Sequence, residues 1–392
     1  MNSTNHTTND GIQGFFSVST NDRESAARCG TLNLPHGTIE TPVFMPVGTQ
    51  SSVKGLLHRD VSDIGFSLIL SNTYHLFLRP GIEVIRRFGG LHSFCAWDGN
   101  ILTDSGGYQV FSLAAFRKIS DDGVTFRSHI DGQTFHLTPE TVFAIQRDLG
   151  SDVQMALDVC TAPDVSRKEA ESACRITTAW ARRAAESWRA DRESGTSSYR
   201  GALFGIVQGN FHEDLRTRSA EDICELDLPG IAIGGLSVGE SPEQFEHFLK
   251  FTTQKLPSHT PRYVMGIGTP DYIFAAVEAG IDMFDCVFPT RTARTGAAMV
   301  PDGRLVLTHA KHADSTIPIE DGCPCIACRR YSRAYIRHLL KAGEMLGPIL
   351  LTFHNLTFMA RLLESIRASI RAGRFLSFKR EFLHRYLAGH RR

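Results

Sequence analysis

Short apolar runs recur along this chain at fairly regular intervals, and each has a length suited to a buried parallel strand. Helix-like segments follow most of them, with entry signals such as Thr-Pro-Glu at 138–140 and Ser-Pro-Glu at 241–243. An open doubly wound sheet shares this local pattern, but eight repeats favour an α/β fold of the (β/α)8 TIM barrel type. The predicted strands lie in residues 41–48, 66–76, 100–111, 152–160, 202–209, 230–239, 262–268 and 283–289.

Two segments interrupt this alternation. Residues 124–137 read as two short strands about an Asp131-Gly132 turn, which predicts a β-hairpin inserted after the third barrel strand. Residues 310–328 are irregular, and long helical patterns resume at Tyr331 and continue nearly to the end. We therefore predict a barrel domain over residues 15–309 and a C-terminal subdomain with helices over residues 310–392.

The charge of the chain is balanced, with 42 Lys+Arg against 42 Asp+Glu among 392 residues. A nucleic-acid partner would therefore have to be attracted by a local patch. One candidate is the C-terminal segment from Arg361 to Arg392, which has nine basic residues against Glu364 and Glu381. Such a segment is either a solvated helix face or a surface that contacts nucleic acid.

The chain starts without the basic and apolar regions of a signal peptide, and no later run approaches the roughly 20 apolar residues of a membrane helix. Nine cysteines, an odd number, indicate a reducing compartment rather than a framework of disulfides. We therefore expect a cytoplasmic protein with no membrane-spanning segment.

A metal site is predicted near the C-terminus. Cys323, Cys325 and Cys328 lie within six residues, and His354 follows in the next helical pattern. Three thiolates and an imidazole form a tetrahedral ligand set for Zn²⁺ that leaves no position for water, so the expected role is structural. A redox pair would use two cysteines at CxxC spacing. From the residues alone, His354 is equally well a capping or core histidine.

Three aspartates follow or end apolar runs, where the reactive groups of a barrel enzyme lie. They are Asp104, Asp158 and Asp285. Gly106 and Gly107 permit close approach of a ligand or a helix N-terminus. Each aspartate taken singly is equally well a helix cap or the partner of a buried arginine. Together they supply the two carboxyl groups that cleavage of an N-glycosidic bond requires.

The chain resembles the tRNA-guanine transglycosylases of bacterial type, also called queuine tRNA-ribosyltransferases, over roughly residues 15–385. The motifs that carry the resemblance are LTDSGGYQVFSL, DVQMALDVC, GIVQGN, IAIGGLSVGE, YVMGIGTP, GIDMFDCVFPTRTARTG and the CPCIAC…HN pair. The resemblance implies a (β/α)8 barrel with a zinc-binding subdomain, usually homodimeric, which acts on the anticodon loop of tRNAs with a G-U-N anticodon.

The resemblance also implies roles for individual residues. Asp285 matches the nucleophile that attacks the ribose, and Asp104 matches the general acid/base. His354 stands at the position of the fourth zinc ligand, and the basic C-terminal segment becomes a candidate contact of the tRNA backbone. The remaining predicted site residues are Tyr108, Asp158, Cys160, Gln208, Gly235, Leu236, Met265 and Gly266 around the base, and Arg291 and Arg294 beside the RNA.

The base that enters tRNA is 7-aminomethyl-7-deazaguanine in bacterial-type enzymes and the bulkier queuine in eukaryotic ones. Cys160 and Val238 resemble the bacterial pattern, whereas Ser237 resembles the eukaryotic one. We therefore predict the smaller base, with queuine as the alternative. An archaeosine-type enzyme, a non-catalytic tRNA-binding subunit and an unrelated barrel glycosidase are three rival interpretations of the same sequence. Intact motifs around Asp104 and Asp285 disfavour the non-catalytic subunit.

Overall fold

The computed structural model describes residues 14–113, 116–195 and 198–390. The strands, in chain order, are β1 (Phe16–Asn21), β2 (Arg28–Leu34), β3 (Gly37–Thr41), β4 (Val43–Pro46), β5 (Leu68–Ser71), β6 (Asn100–Thr103), β7 (Arg117–Ile119), β8 (Val124–Arg127), β9 (Thr134–Leu137), β10 (Val153–Met155), β11 (Ala202–Val207), β12 (Gly230–Ile233), β13 (Arg262–Val264), β14 (Met283–Cys286), β15 (Ala297–Val300) and β16 (Gly303–Val306).

Helices follow or connect most of these strands. They are α1 (His58–Ile64), α2 (Thr73–Leu78), α3 (Ile82–Arg87), α4 (Leu91–Cys95), α5 (Gly107–Leu113), α6 (Pro139–Leu149), α7 (Arg167–Glu193), α8 (Glu213–Cys224), α9 (Pro242–Thr253), α10 (Pro270–Glu278), α11 (Phe288–Arg294), α12 (Ile326–Arg330), α13 (Arg333–Ala342), α14 (Leu346–Arg371) and α15 (Phe375–His390). The helices predicted to begin after Thr138 and Ser241 do so, and each of these side chains caps its helix.

A parallel sheet of eight strands forms the centre of the fold, in the order β4-β14-β13-β12-β11-β10-β6-β5. An isolated parallel bridge between Val47 and Leu70 nearly closes it into a barrel. The predicted (β/α)8 fold is therefore confirmed, and each strand lies inside its predicted run. The runs at 66–76 and 100–111 were too long, because α2 and α5 begin within the same apolar stretches.

The amino end of the barrel is closed by a sheet that the sequence did not predict. Strands β1, β2 and β3 form an antiparallel sheet whose buried Leu32, Leu34 and Ile39 belong to the apolar cluster inside the barrel. That cluster also contains Phe204 from β11 and Met155 from β10. Because this end is packed with apolar side chains, a solute has access to the barrel interior from the carboxyl ends of the strands.

The insertion after the third barrel strand is larger than predicted. Strands β8 and β9 form the predicted hairpin, with Asp131-Gly132 in its turn, but β7 adds a third strand on the other side of β8. All three residues of β7 are exposed, so it has no apolar alternation by which it could be recognised. The β15–β16 hairpin was likewise not predicted.

Helix α14 packs against β4, β2 and α11, so the C-terminal segment covers the outside of the barrel. The prediction that no segment approaches a membrane helix is wrong for α14 by length and composition. It has 26 residues, and its most apolar stretch has a mean hydropathy of 1.2. However, 67% of that stretch is buried within the fold, as in a core helix of a soluble protein. The domain boundary after residue 309 stays a prediction.

Candidate active site and metal centre

A cavity of about 500 Å³ opens at the carboxyl ends of the barrel strands. Both predicted catalytic aspartates face it, although they are separated by nearly half of the chain. Arg294 is not part of its lining. The predicted residues that line the cavity are Asp104, Tyr108, Asp158, Cys160, Gln208, Gly235, Leu236, Met265, Gly266, Asp285 and Arg291.

Asp285 lies at the end of β14, and one of its two oxygens is fixed. Its Oδ1 accepts hydrogen bonds from Tyr263 Oη at 2.6 Å and from the Gly266 backbone N–H at 3.0 Å. Within the described residues, Oδ2 accepts none. Burial raises the pKa of Asp285, and the two donors oppose that effect. The carboxylate is thus held in place while Oδ2 stays available to a ligand.

Asp104 follows β6 and is held by the segment where β5 joins α2. Its Oδ2 accepts from Asn72 Nδ2 at 2.5 Å, and its Oδ1 accepts from the Thr73 backbone N–H at 2.9 Å. Burial raises the pKa of Asp104 to about 6, and repulsion from Asp285 adds to the rise, whereas the hydrogen bonds oppose it. A carboxyl group with such a pKa can both donate and accept a proton near neutral pH.

Asp158 provides hydrogen-bond acceptors deeper in the cavity. Its Oδ2 accepts from Gln208 Nε2 at 2.8 Å, and its Oδ1 accepts from Ser105 Oγ at 3.4 Å. Burial raises its pKa to about 6. A Cβ atom at Gly107 would lie 2.9 Å from Asp158 Oδ1, so this glycine is required for the approach of α5 to the carboxylate. Gly107 thus makes room for Asp158.

The loop between β12 and α9 contributes backbone groups. Gly235 has a φ of +66°, a conformation that favours glycine. Downstream, the Glu240 carboxylate accepts hydrogen bonds from the backbone N–H groups of Ser237, Val238 and Gly239. Three donors on a single carboxylate make this half of the loop rigid.

The apolar and basic residues lie nearer the opening. Tyr108 is 56% exposed, and Met265 is half-buried. Arg291 and Arg294 are exposed on α11, where Arg294 donates to the Thr290 carbonyl of its own helix at 3.0 Å. Burial raises the pKa of the Cys160 thiol to about 12, which keeps it protonated and unreactive as a nucleophile at neutral pH.

The predicted metal ligands converge although His354 comes from a different helix. His354 Nδ1 lies 3.7 Å from the Sγ atoms of Cys323 and Cys325 and 3.3 Å from that of Cys328. Its other ring nitrogen, Nε2, lies 2.8 Å from the Met299 carbonyl, an arrangement that makes Nδ1 the available ligand atom. Four buried or half-buried ligands of this chemistry fit a structural metal ion.

A second group with metal-binding side chains lies at the amino end of the barrel. His36 Nδ1 and His92 Nε2 lie 2.6 and 3.0 Å from the two oxygens of Asp152. The two imidazole rings stack with centroids 3.7 Å apart. Because each ring is hydrogen-bonded to the carboxylate through one nitrogen, these residues already satisfy one another without an ion.

The basic C-terminal segment is largely paired with acids of the same chain. Five of the nine basic residues form ion pairs, which lowers the net positive charge that this segment can present to RNA. Arg391 and Arg392 lie outside the described residues. The pairs are Arg361–Glu320, Arg367–Glu40, Arg371–Glu40, Lys379–Glu278 and Arg385–Asp302.

Several residues of the site were not identified from the sequence. Asn72 directly follows β5. It therefore lies at the carboxyl end of a barrel strand, like the three aspartates, and this position is a signal that applies to amides as well. Tyr263 lies inside a strand, among apolar residues, and gave no signal of a polar contact with Asp285. Arg216 lies on α8 and resembles an ordinary surface cation in the sequence.

Comparison with known proteins identifies the family of this chain. A family model described as queuine tRNA-ribosyltransferase matches residues 22–388. A queuine tRNA-ribosyltransferase of Pelotomaculum thermopropionicum is 53% identical over 371 residues, which cover 95% of this chain and 98% of the relative. A protein of the same name from Borrelia hermsii is 48% identical over 375 residues, covering 96% and 99%.

A third relative of that name, from Lysinibacillus sphaericus, is 48% identical over 364 residues, covering 93% of this chain and 94% of the relative. The family model begins before β2 and extends through the cysteine cluster and α14, so it covers the residues of both the cavity and the metal centre. At the level of family, the predicted pentosyltransferase is confirmed: the chain belongs to the queuine tRNA-ribosyltransferase family.

Proposed function

We propose that this protein exchanges the wobble guanine of tRNAs with a G-U-N anticodon for 7-aminomethyl-7-deazaguanine, a step in queuosine biosynthesis. The observation that carries the proposal is the pair of carboxyl groups on one cavity. Asp285 has one fixed and one available oxygen, and Asp104 has a pKa of about 6. Such a pair supports nucleophilic attack combined with proton transfer.

The polar groups of the cavity complement the Watson–Crick edge of guanine. That edge offers two donors, N1–H and the 2-amino group, and one acceptor, O6. Asp158 provides acceptors, and the backbone N–H groups of Gly235 and Leu236 provide donors. Tyr108 and Met265 supply apolar surface for the faces of a base that has left its stack. Adenine presents the opposite pattern at position 6 and would be rejected.

The proposed reaction passes through a covalent intermediate. Asp285 Oδ2 forms a bond with ribose C1′ while the C1′–N9 bond breaks, and its electron pair leaves with guanine, which takes a proton from the Asp104 carboxyl group. The incoming base then gives its N9 proton to the Asp104 carboxylate, and N9 attacks C1′ and displaces Asp285. Charge and protons balance over the cycle, and Asp104 ends as it began.

Binding of the tRNA backbone is assigned to Arg291 and Arg294 rather than to the C-terminal segment. Both lie on α11, directly after the strand that carries Asp285, and Arg291 lines the cavity. Contacts between guanidinium groups and phosphates release counterions, so affinity for tRNA should fall as salt is raised.

We also propose that the protein is a cytoplasmic homodimer. Light scattering measures the mass of the particle in solution and tests the dimer.

We propose the smaller of the two deazaguanines because of the side chains near the loop. Val238 and Cys160 both line the cavity, together with Ser237. A branched side chain at position 238 takes up space that a cyclopentenyl substituent would need. Queuine remains the alternative, and the relatives carry it in their names. Exchange assays with both bases decide between them: efficient use of queuine alone would overturn the choice.

The metal at Cys323, Cys325, Cys328 and His354 is proposed to be zinc, with a structural role. All four ligands come from the protein, and the ion would tie the segment that carries the cysteines to α14. We expect one zinc per chain by elemental analysis. A Cys323→Ser variant should lose metal and unfold at a lower temperature. Full zinc content in that variant would contradict the assigned ligand set.

The test of the proposed function uses labelled guanine and unmodified tRNA. The protein should incorporate label into the tRNA, and denaturation of the reacting mixture should leave a protein–RNA adduct. Asp285→Ala should lose both. Asp98→Ala, which changes an exposed aspartate near the amino end of β6, is the matched control and should retain both. Adduct formation by Asp285→Ala would overturn the assignment of the nucleophile.

A further inference from the structure

We propose that Arg216, a buried arginine behind the cavity, is a positioning residue that makes the site select a base with an oxygen at position 6. This inference rests on the proposed function, because it concerns how the same site reads its base. It arises from the loop Gly234–Leu236, whose orientation is set from behind the cavity by a single guanidinium group.

Arg216 lies in the first turn of α8 and is completely buried. No carboxylate lies within 4.0 Å of it in the described part of the chain. Instead, it donates only to backbone carbonyls: Nε to Asn210 at 2.8 Å, and Nη2 to Gly234 at 3.0 Å and to Gly235 at 3.3 Å. Burial lowers the pKa of Arg216 to about 10, so it is still charged at pH 7.

A buried charge that has dipoles but no counter-charge as partners is a costly arrangement. The chain is built to accommodate it. Gly209 has a φ of +132°, and a Cβ atom there would lie 2.6 Å from the Arg216 backbone nitrogen. Glycine at this position therefore lets the first turn of α8 approach the end of β11, which brings Arg216 beneath the loop.

The contacts of Arg216 fix the direction of two peptide groups. In a trans peptide, the C=O and the N–H point to opposite sides. The carbonyls of Gly234 and Gly235 point to Arg216, so the N–H groups of Gly235 and Leu236 point away from it, and these residues line the cavity. Within the described residues, neither N–H has a hydrogen-bond acceptor in the protein.

These two N–H groups are thus free donors that face the ligand. The positive charge on the carbonyl side also polarises both peptide groups, which strengthens the N–H groups as donors. A base with a carbonyl oxygen at this position gains hydrogen bonds, whereas a base with a weak acceptor leaves buried donors unsatisfied. Arg216 would therefore act on selectivity through the loop, without touching the base.

The test compares guanine with 6-thioguanine, which keeps N1–H and the 2-amino group but offers sulfur, a weaker acceptor. Exchange of labelled guanine into tRNA is measured, and 6-thioguanine competes with it. In Arg216→Lys, a single ammonium group cannot reach three carbonyls in the geometry of the guanidinium. We expect the preference for guanine to fall about tenfold, the effect of losing one or two well-oriented hydrogen bonds.

Arg262→Lys is the matched control. Arg262 is also a buried arginine that donates to backbone carbonyls, those of Leu256, Pro257 and Gly280, but it lies at the start of β13, at the amino end of the barrel. Both variants should unfold at lower temperatures than the unchanged protein, and only Arg216→Lys should lose selectivity. Arg216→Gln, which is smaller and neutral, serves if the lysine variant does not fold.

An unchanged preference for guanine in a folded Arg216 variant would overturn this inference and leave the proposed function intact. Absence of guanine exchange by the unchanged protein would overturn the proposed function, and the inference with it. An equal loss of selectivity in Arg262→Lys would also count against the inference, because the effect would then come from general loosening of the barrel.

Discussion

The two ends of the barrel use buried aspartates in different ways. At the amino end, Asp282 accepts two hydrogen bonds from the Arg28 guanidinium, at 2.6 and 3.0 Å. Asp152 is hydrogen-bonded to two histidines. At the carboxyl end, Asp104 and Asp285 are held by amide, hydroxyl and backbone N–H donors. In the described part of the chain, no basic side chain lies within 4.0 Å of either carboxylate.

This difference separates stability from chemistry. Burial raises the pKa of Asp282 as well, but the Arg28 guanidinium opposes that rise, and the ion pair occupies both carboxylate oxygens. Asp104 and Asp285 have neutral donors instead, so no cation offsets the effect of burial, and a pKa of about 6 lets Asp104 exchange a proton near neutral pH. The same residue type thus joins the N-terminal sheet to the barrel at one end and lines the cavity at the other.

Replacement of the nucleophile is expected to have the largest effect, which is a loss of exchange activity. Asp285→Asn keeps the shape of the side chain but removes the negative oxygen, so exchange should fall on the order of 10³-fold or more, with little change in the melting temperature. Asp282→Asn, three residues away, should lower the melting temperature and leave exchange by the folded protein nearly unchanged. If exchange by folded Asp282→Asn fell as far, the proposed division between the two ends would be wrong.

The second effect concerns the buried ion pair at the amino end. Arg28→Ala leaves Asp282 without its cation, which should lower the free energy of unfolding by about 3–5 kcal/mol. Urea denaturation followed by circular dichroism measures this loss. The rate of exchange per folded molecule should not change, and Arg28→Lys should restore part of the stability. A loss below about 1 kcal/mol would show that the pair contributes little.

The third effect is on the pH dependence of exchange. Asp158, which has a pKa of about 6, and the nucleophile Asp285 must both be charged, so kcat/KM should fall as the pH drops below about 6. Asp104 must instead be protonated when it gives its proton to guanine, so its pKa of about 6 should limit kcat/KM on the alkaline side. Tyr263→Phe removes a donor that lowers the pKa of Asp285. In that variant, the acidic limb should move to higher pH, and kcat/KM at pH 7 should fall about tenfold.

A profile that does not move in Tyr263→Phe would mean that the hydroxyl group only fills space. Tyr272→Phe is the matched control, since Tyr272 packs on Phe245 in the outer helices and does not line the cavity. It should leave both the acidic limb and kcat/KM as they are in the unchanged protein.

The smallest effect is expected at the histidine pair of the amino end. The His36 side chain is 38% exposed and shares Asp152 with His92. His36→Ala should therefore cost less than about 1 kcal/mol, because His92 and the Ile101 backbone N–H still bind the carboxylate. Thermal unfolding measures the change, and exchange should be unaffected. If His36→Ala lost as much stability as Arg28→Ala, the contact between His36 and Asp152 would be one of the main links between the N-terminal sheet and the barrel.

Much of the architecture could be predicted because barrel strands are short and apolar and their helices have clear entry signals. The eight strands and the caps at Thr138 and Ser241 were identified in this way. Strand β7 could not be, because all three of its residues are exposed. The N-terminal sheet lacks the continuous apolar runs of the barrel strands: in β1 and β2, apolar residues such as Phe16 and Val18 or Leu32 and Leu34 alternate with polar ones. Helix α14 is long and apolar enough to span a membrane, whereas its burial in the fold is that of a core helix, and burial is a property of the tertiary structure.

The sequence by itself determined which residues have the chemistry: carboxylates after strands, three cysteines at close spacing and a glycine-rich loop. It could do so because residue type and spacing are local properties. The tertiary structure decided which of these groups have charged partners, since Arg28 reaches Asp282 across 254 residues of sequence and Tyr263 reaches Asp285 from the neighbouring strand. Those partners, and burial, set the pKa values and the free oxygens on which function depends.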